Sequence, residues 1–461
     1  MAHRAARLLL SSVFVAIPAA LFAQGFGLNE IGSCAVSRGY ANTASPCRDA
    51  STIYWNSAAA TSLSGWNIAV GGAAVSVKGR FTQDTTGRHW DATVPTEYIP
   101  HLFLNYHSPA SKAAYGIGVY VPYGLTSQWG DDFPGRFVSK KASLATIYVQ
   151  PNFAWQLTPT WSIGGGPVIG HSTVELIQSV DLAPQIASGT TTFGQLGIAT
   201  GTEFAQVRIK SSAMAYGAQI AVQGRPSPNW SVGARFLTPL GFKYDNGDAT
   251  FTQVPTNLIV GGTVQAPFVA GTPIDRLVAP EFASGGPLVA QNASTKITNP
   301  AQVQAGLAYS GFKSWLLEAD YAWIGWKQFR TLPVTFTTPA LNQTYIEDYN
   351  NSSAIRLGAE YTIPTDGWHL RAGFAGVASA APAEAVDPLL PEQDRNYWTF
   401  GVGVPVMQRW SIDAGYSHIW TPGKRGRIIA RTSESQTADQ MNSGFYTLSA
   451  NVLSFTIKAS F

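Results

Sequence analysis

Imidazole and thiol are scarce in this chain: seven histidines and two cysteines among 461 residues. A hydrolytic enzyme needs a serine and a histidine within reach, with a third group to orient the base. The histidines fall mostly at strand ends or in loops with no serine motif beside them, so an enzyme is not expected. Cys34 and Cys47 have no histidine or further cysteine at ligand spacing, which makes a metal pair the weaker reading, and no cofactor is expected. Gly164-Gly165-Gly166 and Gly401-Val402-Gly403 are not phosphate loops, because no helix follows either. Charge is the chemistry that remains. Arg235, Arg356, Arg371 and Lys327, with Arg330 nearby and His171 in a strand of its own, could meet an anionic group. The plainer role for each cation is to pair with acids such as Glu318, Asp320, Glu360 and Asp413.

The elements that position these side chains follow from composition and pattern. Only 12% of residues are charged, 45% are hydrophobic, and the mean hydropathy is +0.02. That charge content is about half the ~25% of soluble globular proteins. After the N-terminus no stretch has the ~18 consecutive apolar residues of a membrane helix. With 45 glycines and 12% aromatics, the composition suits an all-β barrel whose outer face meets lipid. The alternative is a soluble all-β protein with few charges. A net charge of +3 without a basic face gives no reason to expect nucleic acid. His3, Arg4 and Arg7 precede an apolar run from Leu8 to Phe22, so residues 1–23 read as an export signal cut after Ala23. Export leads to an oxidising compartment, where Cys34 and Cys47 can close one short disulfide loop.

Residues 24–65 are rich in Ala, Ser, Asn and Gly without a period of two, whereas 66–461 alternates repeatedly. At the C-terminus Leu453, Phe455, Ile457, Ala459 and Phe461 share one strand face, and Ser454, Thr456, Lys458 and Ser460 the other. The pattern predicts strands at 66–82, 97–109, 113–123, 144–158, 161–177, 206–224, 229–244, 296–310, 313–329, 351–363, 367–377, 396–406, 409–421 and 445–461. That makes about fourteen transmembrane antiparallel strands, an even number as single-chain bacterial barrels require. Connections alternate strictly between short turns and long loops, the mark of periplasmic turns and outer loops. A soluble β-domain has no reason to sort its loops by parity. Trp66, Tyr106, Tyr123, Trp155, Trp161, Trp230, Trp315, Trp323, Trp368, Trp410 and Trp420 are expected in interfacial girdles.

Four stretches, in order, resemble the FadL-type family of outer-membrane long-chain fatty-acid and hydrophobic-compound transporters. They are Gly25–Glu30 with Arg38-Gly39-Tyr40, Asp49–Thr52 and Asn56-Ser57-Ala58; Val121–Leu125 with Gly135-Arg136 and Gln150–Ala154; Pro300–Tyr309 with Glu318–Tyr321 and Trp323–Trp326; and Leu390–Arg395 with Gly401–Gly403 and Asp413–Tyr416. The resemblance covers Gly25 to Phe461. It implies a barrel closed by an N-terminal plug, or hatch, that includes Asn29, Glu30, Asn56, Ser57 and Ala58. It also implies a cargo caught by apolar outer loops, held in an interior pocket, and released sideways where the third strand kinks inward. Here that strand is Ala113–Tyr123, with Gly116, Gly118 and Pro122. The family has Asn-Pro-Ala where this chain has Asn56-Ser57-Ala58, which frees one φ angle and adds an N–H. The cysteine pair is no part of the family pattern.

The expected function is uptake of hydrophobic small molecules, foremost long-chain fatty acids. The alternatives are aromatic hydrocarbons or alkanes by the same route, or a general porin or surface adhesin. Candidate substrate-binding residues are His171, Arg235, Arg356, Arg371 and Lys327, with Phe251, Phe268 and Phe282 from the unusually apolar loop 245–295. Expected partners are the hydrophobic ligand, outer-membrane lipids, lipopolysaccharide (met by Gly423–Arg427) and the barrel assembly machinery. The chain is expected to be a monomer in the bacterial outer membrane.

Overall fold

A computed structural model of the chain describes residues 25–261, 268–426 and 443–461. The export signal, Val264 of the long loop and Arg427 lie outside the described residues. Fourteen antiparallel strands form a closed barrel. They are β1 (Gly65–Gln83), β2 (Glu97–His107), β3 (Ala113–Gln128), β4 (Lys141–Thr158), β5 (Trp161–Asp181), β6 (Glu203–Ser227), β7 (Trp230–Leu237 and Leu240–Gln253), β8 (Gln291–Asn299 and Gln302–Tyr309), β9 (Trp315–Ile324), β10 (Ser352–Thr362), β11 (His369–Val377), β12 (Arg395–Met407), β13 (Trp410–Trp420) and β14 (Gly444–Ser460). Each strand pairs with its sequence neighbours, and β1 closes on β14 from Asn67↔Ser460 to Gln83↔Gly444.

The alternation is inverted relative to a soluble sheet. On β14, Leu453 is 64% exposed and Phe455 48%, while Thr456 between Phe455 and Ile457 is 1% exposed. Apolar side chains that face outward and polar ones that face the lumen fit lipid outside and a polar filling inside. Trp66, Trp155, Trp161, Trp230, Trp315, Trp368 and Trp410 are exposed beside the short turns, and Trp398 and Trp420 toward the other end. Tyr123 departs from the girdle reading: it is completely buried, because β3 turns its outer half into the lumen.

Two strands break in the middle. β7 stops at Thr238-Pro239 and β8 at Pro300-Ala301, yet one register runs through both, with Leu237↔Gln302 below and Leu240↔Asn299 above. Pro239 and Pro300 therefore stand opposite each other. Proline has no N–H for the ladder, so the hairpin bends there as a unit. Its lower half pairs with β6 and β9, while the upper half of β8 pairs with Thr331–Phe336, a strand inside a segment expected to be loop.

Candidate functional site

The lumen is filled by the chain's own N-terminal segment. Within residues 25–64, short helices at Ser33–Ser37 and Thr52–Trp55 lead to a 3-10 turn at Ser57–Ser62. A helix of four or five residues cannot hold itself; barrel side chains hold these. Glu318 accepts from the backbone N–H of Ala44 (2.7 Å) and Ser45 (3.1 Å), and Asp320 from Asn42 (2.8 Å) and Thr43 (2.9 Å). Arg38 of the plug reaches Glu318 at 3.2 Å and Glu360 at 3.7 Å. Thr399 accepts from the N–H of Gly39 and donates to Ser37 O. Asn56 caps the 3-10 turn by accepting from Ala58 N–H, and its amide donates to Thr43 O and Val222 O. Where the family has proline, Ser57 is thus already fixed by its neighbour. Gly233 and Gly373 are the wall's closest approaches to the plug. A Cβ there would lie 2.1 Å from Thr43 O and 2.2 Å from Gly39 N, respectively. Cys34 and Cys47 are joined in a disulfide, with Cα atoms 6.2 Å apart. Burial pushes the Glu30 carboxyl up from its ordinary value.

The wall is open in its hydrogen bonding at β3. Pairing with β2 runs from His107↔Ala114 to Leu102↔Val119 and stops. On the β4 side the register shifts between Tyr120 and Tyr123, a bulge that contains Val121 and Pro122. Beyond it the plug takes the place of β2: Leu28 N–H donates to Pro122 O, and Gly124 N–H to Phe26 O. Gly116 and Gly118 lie below this break, where the absence of Cβ admits Ile53 of the plug. Thr126 and Glu97 touch at 2.9 Å across the outer end.

Behind the break lies an apolar cavity of about 90 Å³. It is bounded by Phe26 and Leu125 at the break, Leu144 and Leu176 along β4 and β5, Tyr244 and Ile297 on the bent hairpin. Leu332, Val334, Leu389 and Leu390 complete it from the outer loops. Barrel interiors are ordinarily polar. An apolar inner face on the outer ends of these strands is the signal that could have revealed the cavity: Leu144, Val174, Leu176 and Ile209 interrupt the alternation.

The residues expected to bind substrate separate into three groups. Arg235, Arg356 and Arg371 are buried against the plug. Arg235 donates to Tyr54 O (2.7 Å), Gln219 (3.1 Å) and Gln302 (2.8 Å) and sits over the Tyr54 ring. Arg356 donates to Asn29, and Arg371 pairs with Glu360 (2.6 Å) and Asp413 (2.8 Å). Phe251, Phe268 and Phe282 join an outer cap with Phe204, Ile274 and Leu288, so loop 245–295 packs largely on its neighbours. His171 and Lys327 stand apart. Both are exposed, and His171 points outward because its neighbours Gly170 and Ser172 face the lumen. None of these eight lines the cavity. Of the basic loop, Lys424 donates to Ser379 and Ala381 O, and Arg425 pairs with Asp84, so both are engaged within the protein.

The family described as "Outer membrane protein transport protein (OMPP1/FadL/TodX)" matches residues 14–461. The long-chain fatty acid transport protein of Escherichia coli O157:H7 is 23% identical over 86% of this chain and 87% of its own length. Among solved structures, a Pseudomonas aeruginosa FadL homologue superposes with a TM-score of 0.78 at 18% identity, over 95% of this chain and all of that one. The Ralstonia pickettii toluene transporter TbuX superposes with a TM-score of 0.64 at 17% identity, over 95% and 100%.

Proposed function

We propose, on the premise that this chain belongs to the outer membrane protein transport family (OMPP1/FadL/TodX) and carries hydrophobic compounds across the outer membrane, that its cargo is a long-chain fatty acid released sideways between β2 and β3. The observation that carries this reading is the course of the cavity lining. Apolar side chains continue from Phe26 and Leu125 at the break to Ile297 on the far wall and Leu389 in the outer loops. Among the described residues Phe26, Tyr244 and Phe329 are the only rings in that lining, and the largely aliphatic rest suits an alkyl chain better than an aromatic cargo. The fatty-acid transporter named above supports the same cargo by likeness, while the toluene transporter keeps an aromatic cargo as the second reading. Below the cavity the lumen is occupied by a plug hydrogen-bonded to the wall, which leaves the gap in the wall as the short way out.

Two measurements test the two parts. Cells that lack their own transporter and carry this chain should take up labelled oleate; uptake of labelled toluene without oleate overturns the cargo assignment. Deletion of Pro122 alone takes out the one surplus residue of the bulge and lets β3 re-pair with β2. Oleate should then still bind the purified barrel while uptake is lost. Full uptake through the re-paired wall would show that cargo leaves elsewhere.

A further inference from the structure

The barrel wall has a second break, on the other side of the same cavity. β6 and β7 pair from Trp230↔Ser227 to Leu237↔Gln219 and again from Asp248↔Lys210 to Gln253↔Ala205. Between these runs, Thr238–Gly247 on β7 and Ser211–Ala218 on β6 share no ladder. The two surplus residues on β7 let the hairpin swing inward from its proline pair. Thr238 closes the lower edge, its N–H donating to Ala218 O and its hydroxyl accepting from Ala218 N–H. β6 stays fully paired with β5 throughout, so the strand that moved is β7.

This break backs directly onto the cavity, since Ser211 on one lip and Tyr244 on the other both line it. Small residues face the inside of β6 there (Ala213, Ala215, Gly217), and Leu240 and Phe242 fill the space, both completely buried. At about 90 Å³ the cavity is smaller than the ~150 Å³ hole that takes a benzene ring. Any cargo therefore requires a wall that yields. A hairpin hinged at opposed prolines and unbonded to β6 between Thr238 and Asp248 is the element built to yield.

The two breaks differ in height. The β2 gap begins at His101, six residues from the short-turn end at His107; the β6 gap begins at Gly217, ten residues from Ser227. On the outward face of β6 the apolar Ile220, Tyr216 and Met214 give way to Ser212, Lys210 and Arg208, so this break sits at the outer edge of the lipid. Cations gather around it. Lys243 and Lys296 stand directly opposite each other and are both exposed. Among the described residues no carboxylate pairs with either, although Asp245 and Asp248 share the outward face. Lys141, Arg208 and Lys210 converge on the single carboxylate of Glu175. Like charges directly opposite across a ladder destabilise it, and an anion between them relieves that repulsion.

We propose that the β6–β7 break is a side entrance for amphiphiles with an anionic head lying at the outer edge of the membrane. The head rests between Lys243, Lys296 and Lys210, and the tail passes Phe242 into the cavity. This rests on the fatty-acid reading above and adds a route that bypasses the outer loops. The test staples the full-length protein shut with Gly217→Cys and Leu240→Cys. A Cβ at 217 lies 2.9 Å from Leu240 Cγ, which puts the two Cβ atoms within disulfide reach. With the staple formed, oleate uptake should fall about tenfold and recover on reduction, measured against wild type under the same reductant. Lys243→Glu with Lys296→Glu, on the surface and harmless to the fold, should slow oleate uptake about tenfold and spare oleyl alcohol. A formed staple with undiminished uptake, or a charge reversal that affects both compounds alike or neither, overturns the side entrance. Failure of wild type to bind oleate at all overturns the cargo reading instead.

Discussion

The plug is held one carboxylate at a time. Glu318 is buried at the meeting of two plug amides and the Arg38 guanidinium, so its loss strands several buried groups together. Breaking a buried charged pair costs about 3–5 kcal/mol. Glu318→Ala should therefore loosen residues 38–47 without unfolding the barrel, seen as faster amide exchange there and as conductance steps in planar bilayers. Cys34 and Cys47 enclose a separation of 13 residues, a loop size for which a disulfide contributes roughly 3 kcal/mol. Cys34→Ser with Cys47→Ser should make the same segment cleavable by a periplasmic-side protease, and wild type should show no reactive thiol when denatured without reductant. An intact, protease-resistant plug in that variant would mean the barrel acids suffice. Arg371 does pair with Glu360 and Asp413, but sequence alone offered the lumen cations acids such as Glu318, Asp320, Glu360 and Asp413 as partners without assigning the pairs. It could not show that Arg235 and Arg356 turn to plug carbonyls, amides and rings, since those contacts join residues more than a hundred positions apart.

Strand positions were legible because lipid outside and a polar lumen impose a period of two, and parity of loop length adds a second, independent constraint. All fourteen expected strands exist, several extended at the outer end, as β6 is to 25 residues, while β9 stops at Ile324 short of the expected residue 329. The kinks were less legible. Proline in a strand signals a break, but only pairing shows that Pro239 faces Pro300 and that β3 leaves β2 after Val119. His171 was misplaced by a comparable limit: a strand's periodicity does not say which face looks inward when apolar residues occupy both. Tyr123 ties the two kinks together. Its hydroxyl donates to Pro300 O (3.0 Å) and accepts from the Gln302 amide (2.7 Å). Tyr123→Phe keeps the ring but leaves these groups unsatisfied, at a cost of about 1–3 kcal/mol. Amide exchange near the β8 hinge should accelerate in that variant while the lower barrel stays protected; unchanged exchange would mean the hinge is rigid without the phenol.

At the scale of the molecule, a closed barrel has no edge strand from which to unravel. The mature protein should run faster on a gel before boiling than after, and a single mobility would contradict closure. Fourteen strands fall between the filled eight-stranded barrels and the open porins of ~16–18. Deletion of Gly25–Ser51 should therefore open the lumen to small ions and abolish selective uptake of hydrophobic cargo. A nearly closed channel after that deletion would show that side chains and inward loops fill the barrel by themselves.

The hydrogen-bonded seat of the plug also bears on cell physiology. Polar solutes meet a lumen occupied by a plug that Glu318, Asp320, Thr399 and Asn56 hold in its seat, so their way through is blocked. A bacterium can then multiply copies of this protein when greasy nutrients are plentiful without making its envelope leakier to hydrophilic antibiotics. Abundance and tightness, which an open pore sets against each other, become independent.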